Sequence, residues 1–164
     1  MTDHGGSAID KDLNQLIGEI QVTQEQFTSL LKSVAGDQDW QPAPGEWSFR
    51  FIAAHLATTE KECYQDRVVR IAAGENPYFE GYFNTGRDFG MFDLLDSLHA
   101  WAVTRQEIID FVSNLSEQQF SLTGTHAAFG SVTVQRVLEQ MLDHDQEHLQ
   151  NLEKVLILYR SKAH

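Results

Sequence analysis

Apolar residues recur at three- and four-residue steps through four long stretches of this chain, with polar residues between them. In residues 8–35 the stripe is Ile9, Leu13, Leu16, Ile17, Ile20, Phe27, Leu30, Leu31 and Val34. Residues 49–73 carry Ile52, Leu56, Cys63 and Ile71. Residues 94–114 carry Leu94, Leu98, Trp101, Ala102, Ile108, Ile109 and Val112. Residues 133–160 carry Val137, Leu138, Met141, Leu142, Leu149, Leu152, Val155 and Leu156. That period is helical, and each stretch is long enough to be a helix with one buried face. Flanking residues supply start and stop signals. Ser7 or Asp10 can open the first helix and Gly36 close it; Ser48 and Gly74 bracket the second; Asp93 and Thr133 cap the third and fourth. Ser116-Glu117-Gln118-Gln119 reads as a capping box on a short extra turn.

The connections differ in character. Residues 37–47 contain two prolines, a glycine, Trp40 and Trp47, so they form a loop whose indole rings pack on the domain. Residues 74–92 interleave five glycines and prolines with six aromatic rings, Tyr78 to Phe92. So long a connection is either a crossover that anchors itself with rings or a cover over a substrate. Residues 121–131 hold small loop residues with His126 and Phe129. No stretch alternates apolar and polar long enough to predict a strand. Four helices of similar length therefore predict an all-α four-helix bundle with a crossover as its second connection. The 164 residues fit one domain, 1–164.

Charge narrows the partners. The formal net charge is -12, with 24 acidic and 12 basic residues and no basic cluster. Such a surface repels phosphate backbones and anionic lipid, so neither nucleic acid nor membrane is an expected partner. No apolar run is long enough to span a bilayer, and the first residues lack a secretory leader's pattern. One cysteine, Cys63, excludes an intrachain disulfide and fits a reducing compartment. The expected location is the cytoplasm.

The candidate chemistry lies in three histidines. His144 and His148 are one helical turn apart and, at about 100° per residue, lie within about 40° of each other on the helix. Met141, Leu152 and Val155 share that arc, so these imidazoles belong to the apolar stripe. His55 projects beside Ile52 and Thr59 on the second helix. A divalent ion would satisfy all three and leave a coordination position open; otherwise they are polar groups satisfied in the core. His144 is not followed directly by glutamate, so the zincin protease pattern does not apply. His4, His99, His126 and His164 read as solvent-facing or structural. Cys63 reads as packing rather than a nucleophile. Glu60, Glu62, Asp66, Asp143 and Asp145 are either partners of a ligand histidine or solvated faces. Arg67 could anchor an anionic substrate, with an ion pair to a helix acid as the plainer reading.

Trp40-x-Pro42-x-Pro44-Gly45-Glu46-Trp47-Ser48-Phe49, then Ala54-His55-Leu56-Ala57, then Phe129-Gly130-Ser131-Val132-Thr133, then His144-Asp145-x-x-His148-Leu149, together resemble the DinB-like family of bacterial four-helix-bundle proteins. The resemblance covers nearly the whole chain. It implies an up-up-down-down bundle, often a homodimer, and a divalent metal on three histidines, which match His55, His144 and His148. Zinc or nickel is the ion expected. Relatives include transferases and isomerases that use low-molecular-weight thiols, so the resemblance implies a small-molecule substrate and admits a thiol cofactor or a hydrolase. The family name records induction by DNA damage, which makes a stress response a further expectation. Catalytic residues beyond the metal cannot be carried over. Two readings compete with an enzyme. One is a non-catalytic dimeric bundle whose metal is closed by a fourth ligand from residues 121–131 and which binds or senses a small ligand. The other is a helical interaction protein with histidines as core groups.

Overall fold

A computed structural model describes residues 5–162. Four long helical segments dominate it: α1 (Gly5–Lys32); a second built from α2 (Phe49–Thr59), a π-helical turn (Glu60–Gln65) and α3 (Asp66–Ala72); α4 (Leu94–Ser113); and, after the short α5 (Glu117–Phe120), α6 (Val134–Lys162). The caps behave as the side-chain chemistry requires. Ser48 accepts from the Phe51 amide, Asp93 from Asp96, Thr133 from Arg136, and Ser116 and Gln119 form the reciprocal capping box. Gly74 stops the second helix at a φ of 76°, where a side chain would be strained. The first helix differs: it begins at Gly5, ahead of Ser7 and Asp10, and ends at Lys32, so Gly36 falls in the separate 3-10 turn Ala35–Asp37.

Two apolar layers fill the bundle. One joins Leu16 and Ile20, Val68 and Ile71, Ile108 and Val112, and Val137 and Met141. The other joins Phe27 and Leu31, Ile52 and Leu56, Leu98 and Trp101, and Leu152 and Leu156. Each layer takes the start of α1 and α6 with the end of the other two segments, or the reverse. The chain therefore runs up-down-down-up, not up-up-down-down. The bundle class and the crossover are as expected; the order of directions is corrected. Residues 73–93 are the crossover, since they join the two helices that run the same way.

Three short strands also correct the sequence reading. β1 (Tyr78–Phe79) pairs in parallel with β2 (Thr123–His126), and β2 pairs antiparallel with β3 (Gly130–Thr133). Strands of two and four residues are too short to leave an alternating pattern. The hairpin leads straight into α6, and β1 ties the crossover to it. Among the described residues no helix is long and apolar enough to cross a membrane.

Candidate metal centre

α2 and α6 bring the predicted residues together. His55, His144 and His148 each offer a ligand atom, and these atoms lie within 4.8 Å of one another. The two imidazoles of α6 approach at 3.1 Å between Nε2 atoms. Four-residue spacing on a helix makes that approach possible. Nitrogens arranged tetrahedrally at about 2.0–2.1 Å from a zinc ion would be separated by about 3.3 Å, close to the His144–His148 spacing.

His55 shows its tautomer. Its Nδ1 lies 2.6 Å from Asn84 Oδ1. The Asn84 amide donates to Thr59 Oγ1 and to the Tyr82 hydroxyl, which fixes the oxygen as the atom facing His55. The imidazole must then donate from Nδ1, leaving a lone pair on Nε2. That Nε2 is buried and has no hydrogen-bond partner. A buried lone pair without a donor is unfavourable unless something binds it. Asn84 thus fixes the orientation of the His55 ring, as a hydrogen-bonding neighbour would have to do for a metal ligand.

The environment keeps the rings neutral, the form in which imidazole ligates. Burial lowers the His55 pKa against the pull of Asn84. Burial, with repulsion from His148, His55 and Arg105, lowers His144 to about 3. Burial, then His55, lowers His148 to about 4. Trp47 closes one side, its ring centroid 4.8 Å from that of His55 and 5.5 Å from that of His148, nearly parallel to the latter. The loop tryptophan therefore packs on the domain as expected, and it packs on the site.

The π-helical turn explains what else faces the centre. Twelve regular residues from His55 to Arg67 would leave Arg67 about 120° off that face; one wide turn removes about 100°. His55, Thr59, Cys63 and Arg67 accordingly line one cavity of about 460 Å³, together with Tyr64, Tyr82, Phe83, Asn84, His126, Phe129, His144 and His148. The 74–92 connection is thus a crossover whose residues 81–85 also line this cavity. His126, expected to be solvent-facing or structural, is a buried cavity wall whose Nδ1 accepts from the Ala128 amide. His99 is exposed, as expected. His4 and His164 lie outside the described residues.

The remaining candidates resolve variously. Burial pushes the Cys63 thiol up to about 11, so it stays protonated and packs rather than attacks. Glu62 pairs with Arg87, Asp66 with Arg70, and Asp143 is exposed. Glu60 is neither a histidine partner nor solvated. It is buried and accepts from Trp101 Nε1 and the Arg105 guanidinium, which also reaches Asp145 Oδ2 at 2.6 Å and the Ile20 carbonyl at 2.9 Å. Asp145 is 2% exposed, and its other oxygen is 3.9 Å from His144 Nδ1, too far for a hydrogen bond. Sequence reasoning missed Arg105, although a charged residue one turn after Trp101 on the apolar stripe was visible. Asn84 was missed because nothing in a loop sequence announces its partner. Arg67 has no ion pair with a helix acid among the described residues; it donates to the Glu80 carbonyl at 2.9 Å and lies 5.2 Å from the Phe79 ring centroid.

Comparison with known proteins accords with this fold. No curated protein matches the chain. Among solved structures it is similar to YfiT from Bacillus subtilis, described as a probable metal-dependent hydrolase with an unusual four-helix bundle topology. That match has 21% identity over 92% of this chain and 89% of YfiT, with a TM-score of 0.70. It is also similar to the DinB-like protein YjoA from Bacillus subtilis, at 16% identity over 92% of each chain and a TM-score of 0.59. The family model of the DinB superfamily matches residues 19–152, which take in all three histidines, and the chain belongs to that superfamily.

Proposed function

We propose that this chain is a metal-dependent enzyme whose divalent ion, zinc or nickel, is held by His55, His144 and His148. The observation that carries the reading is the unpartnered, buried His55 Nε2 among two further neutral imidazoles, beside a cavity. An ion bound there supplies Lewis-acid chemistry, lowering the pKa of water or of a small thiol so that it can attack an electrophilic small molecule. The chain's own residues prepare the place. Asn84 holds the His55 ring with its lone pair inward. Trp47 limits water on one side, and the Tyr82 and Phe83 segment covers another. A substrate enters between that segment and the β2–β3 hairpin. The choice between water and thiol decides between a hydrolase and a transferase, and the description of YfiT as a probable hydrolase favours water.

Three protein ligands support an enzyme over a closed binding module. Among the described residues the cluster has three members, and His126 is not one of them. A small-molecule substrate, a homodimer and a cytoplasmic location belong to the same proposal. The deciding experiment is metal content by plasma mass spectrometry on tag-free protein. Near-stoichiometric zinc or nickel is expected in the wild type, with loss in both His55→Ala and His148→Ala. No metal after reconstitution, or metal retained in both variants, sinks the centre.

A further inference from the structure

The cavity beside the three histidines is unlike the rest of the molecule. The chain has 24 acidic residues against 12 basic ones, yet no aspartate or glutamate lines this cavity. Its one permanently charged side chain is Arg67. That residue is only 9% exposed and has no carboxylate within ion-pair distance among the described residues. A buried guanidinium normally has a counter-ion, because desolvating the charge is unfavourable. Arg67 has instead one backbone carbonyl, of Glu80, and the face of Phe79. No Arg67 nitrogen is both fully buried and unpartnered, so its remaining donors are accessible. The charge is felt across the cavity, where it adds to burial in lowering the His126 pKa.

The π-helical turn is what brings Arg67 round to the face of His55. Along the helix the two Cα atoms are about 18 Å apart, twelve residues at about 1.5 Å each. Helical side chains lean towards the N-terminus, which tips the Arg67 head back towards the histidines. The cavity wall also includes Phe83, 85% exposed, and Phe129, 63% exposed. Such rings suit an apolar body rather than a bare inorganic ion.

We propose that the cavity receives a small organic anion, a carboxylate held by Arg67 at one end, whose reacting end lies against His55, His144 and His148. Arg67 is the specificity determinant: it selects substrates by charge and sets their length. This rests on the metal-dependent reading for what happens at the reacting end, and not for the anion site itself.

The test uses ω-mercaptocarboxylates of increasing length, 3-mercaptopropionate, 6-mercaptohexanoate and 11-mercaptoundecanoate, each against its ω-mercaptoalcohol. Binding to cobalt(II)-loaded protein is read from the thiolate-to-cobalt charge-transfer band, and binding to metal-free protein by calorimetry. A charge-assisted pair at Arg67 predicts that at least one acid binds about tenfold or more tightly than its alcohol. Arg67→Gln should bind that acid no better than the alcohol while keeping its affinity for the alcohol. Arg67→Lys, which keeps the charge but loses the fork, should retain part of the preference. Equal affinities in the wild type at every length, or a preference undiminished in Arg67→Gln, would overturn the anion site. If cobalt is not held by the histidines, the metal reading fails alone, because the acid-over-alcohol preference in metal-free protein still decides Arg67.

Discussion

A single amide group sets which ring nitrogen of His55 carries the proton. His55 could donate from either ring nitrogen, and only the Nδ1–H form leaves Nε2 free towards His144 and His148. The Asn84 oxygen selects that form, and Thr59 and Tyr82 select the orientation of Asn84 by taking its NH2 protons. Asn84→Ala should therefore release the His55 tautomer without disturbing the fold. Nitrogen-15 imidazole spectra of metal-free protein should show Nδ1–H at His55 in the wild type and a mixture in the variant. Zinc affinity should fall about 10- to 100-fold, the usual cost of losing an orienting partner. An unchanged tautomer in Asn84→Ala would show that Asn84 does not set the ring. The His144–His148 pair was legible in the sequence, because spacing on a helix fixes which side chains share a face. Asn84 was not, because its role depends on a crossover lying against α2, and no local pattern encodes that.

At the scale of elements, the sequence was most readable where one residue type has one local job. Ser48, Asp93, Thr133 and Ser116 cap as predicted, since a cap depends only on the backbone beside it. The π-helical turn left no such mark, and neither did the strands. β1 exists because Pro77 and Phe79 carbonyls meet the hairpin: the Thr125 amide donates to Pro77 and the Ala127 amide to Phe79, both at 2.8 Å. That docking needs Gly124, where a Cβ would stand 2.9 Å from the Pro77 oxygen and 3.1 Å from the Phe79 ring. Gly124→Val should then force the crossover away from the hairpin. The expected destabilisation is about 1–3 kcal/mol, typical of overpacking, and urea unfolding measures it. Faster amide exchange at Thr125 and Ala127 should accompany it, while amides in the middle of α4 keep their protection. Because Glu80 follows β1 and receives the Arg67 guanidinium, this contact also places the cavity wall.

At the scale of the whole molecule, one buried charge cluster ties all four long segments together. Arg105 of α4 reaches Glu60 in the π-helical turn, Asp145 of α6 and the Ile20 carbonyl of α1. Periodicity marks which face of each helix is buried, but it cannot say that two acids on different helices share one cation. It was equally silent on helix direction, which residue pairs such as Ile20 with Arg105 and Gln24 with Trp101 reveal. Burial pushes the Asp145 carboxyl above the usual carboxylate range, and the Arg105 charge opposes that shift. Removing the cation therefore leaves two buried acids facing each other, and truncating one partner of such a group costs about 3–5 kcal/mol. For a domain of this size each kcal/mol shifts Tm by about 2–4 °C, so Arg105→Met should melt about 10 °C lower or more. The cluster lies one residue from His144 in sequence, and its hydrogen bonds join α1, the π-helical turn, α4 and α6. Arg105→Met/Glu60→Gln/Asp145→Asn, which removes both potential charges with the cation, should recover part of the loss. A melting temperature unchanged in Arg105→Met would mean that the layers of apolar side chains alone set the bundle, with the ions as passengers.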